Sequence, residues 1–444
     1  MRKRYLPYAP SVRLLWALGG IAFLLAASPG VALFVPLALV ASALLALALI
    51  VDLARGPARA EIVVERQLPP HVALRSRAEI AYRVRNESGR EVRVGIAEAP
   101  RRTLRFDEAE CVVVAPARSA ISARATALPV ERGTDAFDAL YVWWESTGLG
   151  LVRRRAIVEM PATFRVYPDL SAVERYGSLH ARNRLIEAGL RRMRMRGEGT
   201  EFESLRDYAD GDAFRTVDWK ASARRGKLMV MQREVERSQD VMLLVDCGRL
   251  MNPRIGDQRK LDYAITAALS LASIASLASD RVGVVAFAQR ILVARAPRST
   301  AASTRALADA LCDVAPYFEE SDYARAFRYV GSHLHRRSLV VLFTDVIDPV
   351  AQGVVLAELR SLTRRHVVLC VFMNDAAVAS TLAAQPTSVD DAYRLDVALG
   401  LLSERAIAKR TLERAGALVL DVPAARLSTA AIDEYLRIKS RALL

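Results

Sequence analysis

Four cysteines in 444 residues, at positions 111, 247, 312 and 370, are too few and too scattered to staple a fold. No C-x-x-C pair occurs and no histidine pair lies near one, so a zinc site of the usual spacing is excluded. The cysteines read as reduced core residues of a cytosolic compartment. Histidine is nearly as sparse, with five residues at 71, 180, 333, 335 and 366. The one close pair, His333-x-His335, falls on a predicted helix, where positions i and i+2 face apart. Also missing are a Gly-rich P-loop, a G-x-S-x-G elbow and an H-E-x-x-H helix, the common signatures of phosphate-binding, serine-esterase and zinc-peptidase sites. No aromatic interleaving or reader motif accompanies the basic residues, so nucleic acid is not an expected partner.

What is present is length, apolar content and positive charge. A chain of 444 residues exceeds one ordinary domain, and 52% apolar residues are enough for sizeable cores. The net charge of +14 fits nucleic acid, an anionic membrane surface or an acidic protein, and the apolar segments at the start of the chain favour membrane lipid.

Residues 1–55 read as a transmembrane hairpin with helices over about 12–27 and 31–51. Leu14–Ala27 and Val31–Val51 are uncharged, mostly apolar runs joined by Ser28-Pro29-Gly30. At about 1.5 Å per residue the second spans roughly 31 Å and the first about 21 Å, so the first needs Arg13 to snorkel or a thinned bilayer. Arg2, Lys3, Arg4 and Arg13 precede the pair and Arg55 and Arg59 follow it, which places both ends in the cytoplasm. A cleaved signal peptide is the alternative for the first run, with small residues at Ala26-Ala27-Ser28; Pro29 opposes cleavage there. Even after cleavage the second run would stop transfer, and only a lone second helix with its N-terminus inside would export the remainder.

From 60 to 168 the pattern is short alternating runs, such as Ile80–Arg85 and Val92–Ile96, with turn residues at Asn86–Gly89. Period-two alternation predicts half-buried antiparallel strands and a β-sandwich-like domain of about six to eight strands. No catalytic constellation occurs in it. Trp143 and Trp144 fall on alternate faces, one for the core and the other either an interaction residue or packed under a loop.

Residues 175–238 carry the most distinctive text. Leu179, Ile186, Leu190 and Met193 at helical spacing, with six arginines between 182 and 196, predict a basic amphipathic helix that lies on anionic headgroups or packs as a solvated face. After it Asp207, Asp210, Asp212 and Asp218 interleave with Arg206, Arg215, Lys220, Arg224 and Arg225. Mixed signs predict an ion-pair network around an irregular loop, with Gly211 permitting a tight turn and Trp219 plugging the segment onto the following domain. The other reading is a carboxylate pair, Asp212 and Asp218, on a divalent cation, against which the arginines count because they neutralise carboxylates without metal.

From 239 to 444 strands alternate with helices. Val241–Val245, Val282–Phe287, Leu339–Thr344, Val367–Met373 and Leu418–Val422 are continuous apolar runs, and helical patterns such as Leu261–Ala278 separate them. That alternation predicts an α/β, Rossmann-like doubly wound sheet, whose ligands sit outside the carboxyl ends of the strands. Asp246 ends the first strand and Asp345 follows a central one, so both face that edge.

Arg206, Tyr208, Gly211, Asp212, Arg215, Asp218, Trp219, Ala223 and Arg224 reproduce the signature R-x-Y-x-x-G-D-x-x-R-x-[IV]-D-W-x-x-x-A-R. In this the chain resembles a bacterial family, the MoxR-associated "domain of unknown function fifty-eight" group, whose members carry a von Willebrand factor A-like domain. The resemblance implies a metal-ion-dependent adhesion site built from a D-x-S-x-S loop, a later threonine and an aspartate after a central strand. Here the loop reads Asp246-Cys247-Gly248-Arg249-Leu250, with both serines replaced, Ser321 is the counterpart of the threonine and Asp345 matches the last aspartate. Three protein groups plus waters could still hold Mg²⁺, or the site is metal-free, and both readings leave this edge as the partner face.

The resemblance also implies a MoxR-type AAA+ ATPase as partner. The reading is therefore a non-enzymatic, membrane-anchored adaptor in the bacterial inner membrane, two-pass, with its soluble domains in the cytoplasm, acting in assembly or maturation of protein complexes. The alternative is a metal-dependent hydrolase or nuclease using Asp212, Asp218, Asp246 and Asp345.

Overall fold

The computed structural model describes residues 7–31, 33–69, 72–169, 201–209, 214, 217–234, 238–298, 301–345, 352–374 and 376–441. The chain divides into two compact units, Met1–Asp169 and Leu170–Leu444.

In the first unit a short strand β1 (Tyr8–Pro10) leads into α1 (Val12–Ala26), and α2 (Phe34–Arg55) follows. Ser11 caps α1, its Oγ accepting from the Leu14 amide at 3.3 Å, which satisfies one of the free N–H groups of the first turn. At 22 residues α2 is long and apolar enough to cross a membrane, about 33 Å at the helical rise; α1 is apolar but shorter. Relative to the sequence reading, α2 starts three residues later and runs four further, to Arg55. The extension takes in Asp52, whose charge argues against continuing an apolar helix. Its carboxylate is not solvated: it accepts from the amides of Leu151 and Val152, each at 2.8 Å.

Nine further strands complete the unit: β2 (Ile62–Gln67), β3 (Val72–Ala73), β4 (Ala78–Asn86), β5 (Val92–Glu98), β6 (Leu104–Phe106), β7 (Cys111–Ala115), β8 (Ser119–Pro129), β9 (Gly133–Ser146) and β10 (Val152–Tyr167). One sheet runs β1-β10-β9-β5-β7 with β3 beside β10, and the other runs β2-β4-β8-β6. The nine strands between 62 and 167 exceed the sequence expectation because β3 and β6 are two or three residues long, too short to alternate. Inward residues at period two, including Ile80, Tyr82, Val84, Val94, Ile96, Phe137, Leu140, Val142 and Trp144, form one core between the sheets.

Neither tryptophan of the pair is a free interaction residue. Trp144 enters the core and donates its Nε1–H to the Pro57 carbonyl at 3.0 Å. Trp143, on the other face, lies across Gly95, where a Cβ would come within 2.1 Å of the indole. The Arg153 guanidinium covers that ring at 3.7 Å and Glu110 accepts from its Nε1–H at 2.8 Å.

The described residues of the second unit begin with an antiparallel pair, β11 (Glu201–Asp207) and β12 (Met229–Glu234), with the short helix α3 (Trp219–Arg225) between them. Then come β13 (Asp240–Asp246), a tight hairpin of β14 (Arg254–Ile255) and β15 (Gln258–Arg259), α4 (Lys260–Leu277), β16 (Arg281–Phe287), β17 (Ile291–Arg298), α5 (Ala301–Cys312) and α6 (Tyr323–His333). The rest is β18 (Leu339–Phe343), α7 (Gln352–Thr363), β19 (Val367–Asn374), α8 (Ala376–Ala383), α9 (Val389–Arg414), β20 (Leu418–Pro423) and α10 (Leu427–Ser440).

The main sheet has the order β17-β16-β13-β18-β19-β20, parallel throughout except for β17 at the edge. Helices α4, α5 and α10 cover one face. On the other, Tyr323, Phe327 and Val330 of α6, Leu359 and Leu362 of α7 and Leu412 of α9 pack on Leu244, Phe287, Leu342 and Phe372. Burial on both faces explains why these strands read as unbroken apolar runs. The strand order reverses between β13 and β18, and at such a reversal the loops diverge and leave a crevice at the carboxyl ends.

Candidate functional site

Asp246 closes β13 and Thr344-Asp345 follow β18, so both carboxylates stand at the reversal point. Asp246 is 1% exposed, and its charge is held entirely by hydrogen bonds. Its Oδ1 accepts from the Gly248 amide at 2.8 Å and from the Ser321 hydroxyl. Its Oδ2 accepts from the Tyr323 hydroxyl at 2.6 Å and from Thr344 Oγ1 at 2.7 Å. Burial, and then the Asp246 charge, push the Tyr323 phenol well above its ordinary range, so it stays protonated and keeps donating.

Asp345 is balanced differently. Lys260 Nζ pairs with one of its oxygens, and Arg405 Nη1 donates to the other at 2.9 Å. Arg405 also grips Asp421 of β20, with Nη2 at 2.9 Å and Nε at 3.0 Å, so one guanidinium ties α9 to two strand ends. Lys260 is the first residue of α4, where the helix dipole disfavours a cation, and Asp345 opposite compensates for the placement.

The loop before α6 closes the other side. The Tyr317 amide donates to the Cys247 carbonyl at 2.7 Å, the Arg249 amide donates to Glu319 O at 2.9 Å, and the side chains of Arg249 and Glu320 pair at 2.8 Å. Gly248 is required by this approach: a Cβ there would lie 2.2 Å from Ser321 Oγ and 3.1 Å from the Glu319 carbonyl. A serine at that position of the loop therefore cannot coexist with Ser321 where it stands. Phe318, at the tip, is 82% exposed.

Of the sequence-proposed trio, Asp246 and Ser321 are in direct contact, and Asp345 adjoins Thr344, which bonds Asp246. Thr344, Tyr323, Lys260 and Arg405 escaped sequence reasoning. Lys260 left a signal, since a cation opening a helix is out of place; Arg405 left none, because it sits in a helix rich in both charges. A hard divalent cation asks for about six oxygen ligands with free lone pairs. Here every Asp246 oxygen already receives two donors, and Asp345 is shared by an ammonium and a guanidinium. Among the described residues no group of three or more His, Cys, Asp or Glu is placed to hold a metal ion. The residues as arranged do not fit Mg²⁺.

The signature segment is organised by caps. Asp218 is the N-cap of α3, accepting from the Ala221 amide at 3.0 Å, which gives this carboxylate a structural role. Ser222 joins α3 to β12, donating to Asp218 O at 2.7 Å and accepting from the Met229 amide at 2.8 Å. That approach leaves no room for an indole between helix and strand, and Trp219 is 64% exposed instead of plugging the segment down. Tyr208 lies 5.7 Å from Phe214, ring to ring. Arg206 stands in β11 and Arg224 in the exposed last turn of α3, while Asp207 pairs with Lys227 at 2.8 Å. Gly211, Asp212, Arg215 and the basic helix proposed over 179–196 lie outside the described residues.

Sheet order, reversal point and crevice together define an open α/β domain of the doubly wound class. Residues 204–392, from β11 to the first turn of α9, match the family described as "Protein of unknown function DUF58", and this segment is a DUF58 domain. An uncharacterized protein of Mycobacterium tuberculosis, Rv1480, is 26% identical over 242 residues, covering 51% of this chain and 75% of that protein. Uncharacterized protein YeaD of Bacillus subtilis is 35% identical over 121 residues, covering 26% of this chain and 29% of that protein. Among solved structures, the conserved hypothetical protein BatB from Bacteroides thetaiotaomicron aligns at TM-score 0.30 with 13% identity, over 45% of this chain and 98% of that one.

Proposed function

We propose that this chain is a membrane-anchored adaptor: α1 and α2 cross the bacterial inner membrane as a two-pass hairpin, and the α/β unit is a von Willebrand factor A-like domain that binds other proteins from the cytoplasm. The observation that carries the reading is α9. Its buried residues are Ala398, Ala408 and Leu412, whereas Val389, Tyr393 and Val397, spaced by four, are exposed at 74%, 70% and 59%. Residues spaced by four share a helix face, and a contiguous apolar face of this kind is uncommon on a solvated surface unless something binds it. A capping box holds the start of the helix: Ser388 Oγ accepts from the Asp391 amide at 3.1 Å, and Asp391 accepts from the Ser388 amide at 3.0 Å.

The family resemblance supplies the partner, a MoxR-type AAA+ ATPase, and the role, assembly or maturation of protein complexes. The hydrolase reading needs Asp246, Asp345 and Asp218 free for a metal or a proton, and in this arrangement each already serves another group.

The test is co-purification of the full-length chain in detergent from its own cells, comparing the native protein with a Tyr393→Asp, Val397→Asp variant. Retention of an AAA+ ATPase by the native chain, reduced about tenfold in the variant, is expected. Equal retention removes α9 from the interface, and no ATPase on the native chain removes the partner.

A further inference from the structure

Where a divalent ion would sit if the sheet edge were an adhesion site, this chain places its own cations. We infer that Lys260, with Arg405, takes the place of a cation in the crevice, so that Asp345 has its counter-charge and this edge is shaped without any metal ion.

Three independent features converge on this. First, Asp345, nearly inaccessible, has one carboxylate oxygen on the Lys260 ammonium and the other on the Arg405 guanidinium. A buried carboxylate needs a positive partner, and two are already built in. Second, Asp246 has its lone pairs filled by donors: Gly248 N–H and Ser321 on one oxygen, Tyr323 and Thr344 on the other. With the phenol held protonated, Tyr323 donates here at neutral pH and does not act as an anionic ligand. Third, the backbone is set for that arrangement, since a side chain at 248 would collide with Ser321 at 2.2 Å.

The position of Lys260 carries the argument furthest. Arg259 and Lys260 open α4 at its positive end, an unfavourable place for two cations, and the helix compensates locally through Asp262, which accepts from the Arg259 amide at 3.2 Å. Asp345, across the crevice, supplies the opposite charge that this start lacks.

The experiment uses the full-length chain in detergent, stripped with chelator and titrated with Mn²⁺ while free Mn²⁺ is followed by electron paramagnetic resonance. Melting of the same samples is recorded with chelator and with Mg²⁺. The native chain is expected to show no saturable Mn²⁺ binding up to about 1 mM, the weak end of protein sites for hard cations, and the same melting temperature with and without Mg²⁺. Lys260→Met, similar in length but uncharged, is expected to melt lower by on the order of 5 °C, and Lys260→Arg to recover most of that loss. One equivalent of Mn²⁺ taken up by the native chain and lost in Asp345→Asn overturns the inference, as does a Lys260→Met chain as stable as the native one. If Lys260→Met fails to fold, the native titration still decides.

Discussion

Asp246 illustrates how a carboxylate can be fully buried at a sheet edge and still be satisfied, because four donors reach its two oxygens. Deleting it leaves Tyr323 and Thr344, 2.8 Å apart, to bond each other with one hydroxyl proton unmatched, and takes the acceptor from the Gly248 amide; each buried unpaired group costs about 1–3 kcal/mol. Asp246→Ala is therefore expected to lower the unfolding free energy of the α/β unit by about 3 kcal/mol, and Tyr323→Phe by about 1–2 kcal/mol, both read from denaturant midpoints. The pH dependence has a definite sign. Tyr323 and Tyr82 are held neutral by burial, and burial pushes the Cys370 thiol up to about 12. In the unfolded chain these groups ionise near their ordinary values, so their contribution to stability is complete below about pH 8.5 and is lost as the pH rises beyond it. His366 acts in the opposite direction: burial, then the Arg365 charge, push its imidazole down. Its contribution is complete above pH about 6.5 and is lost as the pH falls below, where the unfolded chain gains a proton first. In His366→Leu the slope of melting temperature between about pH 7 and 5 is expected to shrink; an unchanged slope assigns the acid limb to other groups.

Among the elements, α2 is the one whose attachment the sequence concealed. Besides the two amides on Asp52, Arg154 donates to the carbonyls of Asp52 and Leu53 at 3.2 and 2.9 Å, capping the negative end of the helix. Arg13 donates to the carbonyls of Thr147 and Gly148 at 3.0 and 2.8 Å, so the turn between β9 and β10 is held from both helices. An apolar helix pair fastened this way is a rigid mount for the sandwich. Asp52→Ala leaves the Leu151 and Val152 amides without their acceptor, at about 1–3 kcal/mol each. Limited proteolysis at 147–151 is expected to accelerate several-fold, and an unchanged rate means the other bonds suffice. Trp219 teaches the converse: a tryptophan in a charged segment reads as a buried plug, but α3 meets β12 through Ser222, and the ring is left outside. In the sandwich, the buried pair of Arg66 and Glu98, 2.8 Å apart with Tyr82 on the same carboxylate at 3.1 Å, lies on strands whose alternation marks both positions as ordinary. Glu98→Ala is expected to cost about 3–5 kcal/mol, since it leaves a buried guanidinium without its counter-charge, held only by the Met160 carbonyl and the Phe137 ring.

At the scale of the whole molecule the prediction is topological. If both helices cross the membrane, a reporter fused in the turn at residues 28–31 is exported while one fused after residue 444 is cytoplasmic. If α2 crosses alone with its N-terminus inside, the two locations are exchanged and the adaptor reading loses its cytoplasmic face. Much was legible from the sequence because it rests on periodicity: alternation marked the sandwich strands, unbroken apolar runs marked the parallel strands, and an uncharged run of helical length marked α2. Those patterns record how many faces of an element are buried, which the chain must encode locally. They also put Asp246 and Asp345 at strand ends. Which groups answer those carboxylates was settled only in three dimensions: Lys260 lies 85 residues from Asp345 in sequence, Arg405 60, and Tyr323 77 from Asp246. The strand order brings β13 beside β18 and sets the starts of α4 and α6 and the middle of α9 around one crevice. A charge carries no mark of its partner, and whether a buried carboxylate meets a metal ion or a lysine depends on what the fold delivers to it.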